Sequence, residues 1–191
     1  ILLTSNWIPP DFAARLPFLA MLAITLLATW HGIYYLARSP SALPVVFAFG
    51  GEAKPKDYAR TVADGGLLAL IASLGLAQFS HETTPAMAQL CFTSITFYAL
   101  AAMSYHSISS LALFFFGTLG LSLSGAPSLT LIFGIGGLFI TYFDDRYSNK
   151  RATTHALRSQ YVNYAVMLIC ILFVTAVSSL LELWRWALSA P

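Results

Sequence analysis

AMAQLCFTSITFYALAAMSYHSISSLALFFFGTLGLSLS, residues 86–124, contains no Asp, Glu, Lys or Arg. As one helix at 1.5 Å per residue it would be about 58 Å long, nearly twice the roughly 30 Å of a bilayer's hydrocarbon core. It has to fold back on itself. The polar cluster Ser104-Tyr105-His106-Ser107-Ile108-Ser109-Ser110 lies near its midpoint. The break there predicts one span over about 86–103 and another over about 109–124.

Upstream, the corner His81-Glu82-Thr83-Thr84-Pro85 ends an apolar stretch over about 62–80. Downstream, the turn Ser124-Gly125-Ala126-Pro127 opens a further span over about 128–143. A charged loop at 144–160 precedes the last span, about 161–183. At the other end, Trp7, Pro9 and Pro10 lead into a first span over about 16–37. The longest polar connection, 38–61, contains an apolar piece at 43–49 that is too short to cross and is read as interfacial or packed on the bundle.

The sequence therefore predicts an all-α, polytopic transmembrane helix bundle of about six spans forming a single domain. Composition agrees: of 191 residues 58% are hydrophobic and 9% charged, with a mean hydropathy of +0.72. A soluble domain carries roughly 25% charged residues. A formal charge of +2 excludes a nucleic-acid partner. Cys91 and Cys170 both sit in apolar runs, where thiols behave as small hydrophobes and no metal cluster is expected.

Six spans sort the basic residues unequally. Arg38, Lys54, Lys56, Arg60, Arg146, Lys150, Arg151 and Arg158 share one side, leaving Arg15 and Arg185 on the other. Short loops rich in Lys and Arg face the cytoplasm, or the matrix or stroma of an organelle. Loops 38–61 and 144–160 are therefore expected inside and both termini outside, in a bacterial inner membrane or an organellar inner membrane. Treating 86–124 as one span would put the two basic loops on opposite faces. Trp7, Trp184 and Trp186 are expected at the outer interface, with Trp30, Tyr34 and Tyr35 near the inner one.

No Asp, Glu, Lys or Arg falls in the middle of a predicted span, which argues against a driven ion pump. His31 lies inside the first span and is read as an interhelical hydrogen-bonding residue, with ligand contact, proton transfer or haem ligation as alternatives. His106 would lie toward the same inner side, so the pair could hold a haem b, though no cofactor is expected. Asp144 and Asp145, followed by Arg146, Lys150, Arg151, His155 and Arg158, are the catalytic candidates. Carboxylates that hold Mg²⁺ beside cations that hold phosphate suit chemistry on lipid-linked phosphates. The simpler reading is a solvated loop whose cations meet anionic headgroups.

Gln78, Gln89, Thr93 and Tyr98 are candidates for lining an outward cavity for a neutral ligand, or else for interhelical hydrogen bonds. The glycines and small residues of the third to fifth spans predict the packed centre of the bundle. The leading expectation for function is a non-catalytic subunit or scaffold of a larger membrane complex, in contact with lipids and other membrane subunits. The alternatives are a small transporter or substrate-binding component for a neutral or weakly polar solute, and a membrane enzyme acting on lipid-linked phosphates.

Overall fold

The structure is a computed structural model that describes residues 10–39, 42, 54–73, 85–148 and 154–183, with side chains over 15–39, 42, 54–73, 85–142 and 162–183. The described residues form six helices and no strand. They are α1 (Pro10–Ala37), α2 (Pro55–Ala72), α3 (Pro85–Ala102), α4 (Ser107–Leu123), α5 (Pro127–Ser148) and α6 (Thr154–Leu180). Four of the six open on proline, whose fixed φ suits a first turn and whose missing N–H would have no intrahelical acceptor there.

The uncharged run breaks where its polar cluster predicted. α3 ends at Ala102, and the N–H groups of Tyr105 and His106 both return to the Ala102 carbonyl at 2.9 Å. His106 then leaves helical geometry (φ −141°, ψ 73°), and its carbonyl accepts the first bond of α4 from Ser110 N at 3.0 Å. The other end of α4 closes through Gly125 at φ +89°. Gly125 N bonds Ser122 O at 3.1 Å and Ala126 N bonds Leu121 O at 3.2 Å, so two terminal carbonyls are capped before Pro127 starts α5. A side chain with a Cβ would be strained at that φ.

Three helices contain segments long and apolar enough to cross a membrane: Arg15–Ala37 in α1, Pro85–Ala102 in α3 and Val162–Leu180 in α6. Ser107–Leu123 and Pro127–Tyr142 are apolar but shorter. Helix ends and span edges do not coincide. α2 opens at Pro55 rather than near residue 62, taking in part of the expected loop 38–61, because Pro55 and first-turn Asp57 make a good helix start. Likewise α5 runs on to Ser148 and α6 starts at Thr154, so most of the expected loop 144–160 is helical. Hydropathy marks where hydrocarbon ends, whereas a helix continues until capping or chain geometry stops it. The expected second span, 62–80, overlaps α2 as far as Ala72, and 74–84 lie outside the described residues.

The principal contacts run α2–α1–α3–α4 as a row, with α5 and α6 packed on each other and on α4. Ala99, Met103, Phe114, Met167 and Ile171 form the core where α3, α4 and α6 meet. Every helix except α3 turns large apolar side chains outward, such as Leu68 (65% exposed) on α2 and Ile135 (63%) on α5. Water would penalise that surface, and lipid solvates it.

Buried Gly117 of α4 sets the α3–α4 distance. A Cβ there would collide with Thr96 Oγ1 and lie 3.1 Å from Thr96 N and 3.3 Å from Phe92 O. Because backbone cannot yield as a side-chain tip can, Gly117→Leu is expected to destabilise the bundle by about 1–3 kcal/mol in detergent unfolding. Gly136→Ala, at a site with nothing within 4 Å, is the control expected to unfold like the parent.

Candidate functional site

Helical periodicity places Trp30 and Tyr34 on one stripe of α1 and His31 and Tyr35 on a neighbouring one. The Trp30 and Tyr34 rings stack, with centroids 5.4 Å apart and planes 4° from parallel. On this flank α2 approaches, and Trp30 Nε1 donates a 2.8 Å hydrogen bond to Asp64 Oδ1.

The other stripe faces α3 and the turn after it. His31 meets Tyr98 at 6.0 Å, and Tyr98 meets Tyr35 at 6.0 Å. Tyr35 also touches Tyr105 at 5.0 Å and His106 at 6.0 Å. The Arg38 guanidinium closes the row, 5.6 Å from the Tyr105 ring centroid. The turn that splits the uncharged run is thus also the piece that delivers Tyr105 and His106 to α1.

His31 Nδ1 lies 2.8 Å from the Leu27 carbonyl one turn back. A carbonyl cannot donate, so Nδ1 carries the hydrogen, and in the neutral ring Nε2 is left as an acceptor. This bond runs within α1 rather than to Thr or Ser of a neighbouring helix. Beside it, a groove of about 320 Å³ is lined by Ile24, Leu27, Ala28, His31, Ile95, Tyr98 and Leu113, so His31 and Tyr98 are its only polar side chains among the described residues. A second groove of about 340 Å³, between α3 and α5, includes Phe97, Ile132 and Ile140 and has no polar side chain among the described residues.

The remaining candidates separate. Gln89 Nε2 donates to the Ser124 carbonyl at 2.9 Å, tying the start of α3 to the end of α4. Thr93 is half-buried, one turn along α3 from Gln89. Tyr98 is nine residues from Gln89, about 180° around the helix, and so belongs to the His31 groove. Gln78 lies outside the described residues, as do the side chains of Asp144 and Asp145, whose backbone continues α5. His31 meets Tyr98 and His106 meets Tyr35, so the two histidines are linked through the Tyr35–Tyr98 pair, and His31 also packs edge-on against Trp30 at 4.9 Å. Among the described residues no three His, Cys, Asp or Glu side chains group as metal ligands do.

No family model matches the chain, and no curated protein or solved structure matches it significantly.

The residue that sequence reasoning passed over is Asp64. It follows the predicted edge of the second span and reads as a boundary residue. Its signal is Gly66 two residues on, where the missing side chain lets α2 pack against Ile33 of α1 near the level of Trp30. Trp30→Phe and Asp64→Leu are each expected to lower the unfolding temperature. Because both remove the same bond, the double variant should lose less than the two single losses added, and strict additivity would show the bond contributes nothing.

Proposed function

We propose that this chain is a non-catalytic subunit of a larger membrane protein complex. It crosses the bilayer six times, with both termini outside and the basic segments 38–61 and 144–160 against the anionic headgroups of the inner face. The observation that carries the reading is the setting of Asp64.

Trp30 lies seven residues before the end of α1, about 10 Å along its axis. On the proposed spans this puts its partner Asp64 on the membrane side of the inner boundary, with its side chain exposed. One indole N–H leaves most of a carboxylate's acceptor capacity unfilled. Ionisable groups at such depth face protein or water rather than lipid. Among the described residues α2 packs principally on α1, which leaves its opposite side to a neighbour. A transmembrane helix offering Arg, Lys or a hydroxyl would satisfy Asp64 there.

The experiment is purification in mild detergent from the native membrane. The parent should co-purify stoichiometrically with another membrane protein, and Asp64→Leu should release it while leaving the chain folded. A parent that runs alone, or a complex indifferent to Asp64→Leu, would overturn the reading. The span arrangement has its own check, with Cys91 and Cys170 replaced by Ser. Cysteines introduced at Lys54 and Arg151 should both resist an impermeant thiol reagent applied from outside, and reaction at one position alone would refute six spans.

A further inference from the structure

The groove between α1 and α3 contains two polar groups that the protein leaves half used. His31 spends Nδ1–H on the Leu27 carbonyl, which leaves Nε2 as an acceptor. Tyr98 packs its ring against His31 and Tyr35, and its hydroxyl has no hydrogen-bond partner among the described residues. Both side chains line the same groove, and every other lining residue is Ile, Leu or Ala. A phenolic O–H and an imidazole nitrogen beside hydrocarbon, with no water to pair them, are expensive to leave unmatched.

The two groups are also complementary in kind. Nε2 accepts and the Tyr98 O–H donates, and the ligand group that answers both is one that donates and accepts through the same atom. A hydroxyl does so; an ether, an ester or an acyl chain does not. The groove mouth is flanked by exposed Ile24 (44%) and Leu27 (61%), so access is lateral, through lipid, and selects a molecule already dissolved there. A volume of about 320 Å³ admits a ring with short substituents, and the groove's open side leaves a longer tail free in the bilayer.

We propose that this groove binds a membrane-dissolved apolar ring bearing a hydroxyl group, with the hydroxyl donating to His31 Nε2 and accepting from Tyr98. A polycyclic sterol-type alcohol and an isoprenoid-type quinol share that chemistry. The site adds ligand binding to the assembly role and uses none of the atoms of the Trp30–Asp64 contact, so either survives failure of the other.

The test uses the full chain in phosphatidylcholine nanodiscs with two probes, cholesterol and a decyl-substituted benzoquinol, each beside its fully O-methylated ether. At least one hydroxyl probe should raise the unfolding midpoint while its ether does not, and which probe acts identifies the source of the ligand. Tyr98→Phe, which removes a single oxygen, and His31→Leu should each weaken that probe's Kd about tenfold, the loss of one hydrogen bond. Leu113→Trp should abolish binding by filling the floor with both polar groups intact. If His31→Leu does not fold, Tyr98→Phe decides. The proposal is overturned if neither hydroxyl probe binds, if ethers bind as well as alcohols, or if Tyr98→Phe keeps the parent affinity.

Discussion

Hydrocarbon supplies no hydrogen-bond partner, and the packing of this chain follows from that constraint. The backbone of every described apolar stretch answers itself as helix. Hydroxyls inside the bundle take the same local solution. Thr25 bonds the Met21 carbonyl, Ser94 that of Leu90, Thr96 that of Phe92, Thr118 that of Phe114 and Ser178 that of Val174, each one turn back along its own helix. These side chains fold onto their own backbone and become small, smooth surface. Helices lined by them approach closely, as where Gly117 meets Thr96.

Few bonds then cross between helices, and these hold the register of the row. Ser122 pairs with Ser178 to join α4 to α6, and Thr130 bonds the Thr118 carbonyl at 3.3 Å to join α5 to α4. Thr29 reaches Ser94 at 3.4 Å between α1 and α3, and Gln89 ties α3 to the end of α4. Apolar contact between helices is worth little where lipid is an equally good neighbour, so packing of small residues and these crossing bonds decide which faces meet.

The same constraint explains why α1 carries the polar side chains on which the proposed roles rest. It is the one element with principal neighbours on two flanks that carry unlike chemistry, a carboxylate from α2 and tyrosines from α3 and its turn. Local back-bonding serves Thr and Ser well but serves imidazole and indole only in part. One ring nitrogen of His31 is satisfied by Leu27, and the indole N–H of Trp30 has to look outward to Asp64. That residual polarity of α1 is what the proposed partner and ligand would meet.

Much of this was legible in the sequence because it depended on one residue's preference for lipid or water, summed along a run. The helical class and the break at residues 104–106 are of that kind, while the turn at Gly125 rests on glycine's tolerance of positive φ. Of the glycines expected to pack, Gly117, Gly120, Gly134 and Gly137 meet neighbouring helices and Gly136 meets nothing within 4 Å. Helix ends at Pro55, Ser148 and Thr154 were not legible, since a helix overruns the hydrocarbon and hydropathy is silent about the overhang. Grouping Gln89 with Tyr98 failed for a rotational reason: proximity in sequence ignores the half-turn between them.

The pairing of Trp30 with Asp64, and of His31 with Tyr98 across one groove, was decided only when α2 and α3 took up opposite flanks of α1. Sequence by itself determined the solvent of each segment, because transfer from water to lipid is a property of the segment alone. Which side chains meet is a property of two segments and of their rotation about their axes, and it exists only in the assembled bundle.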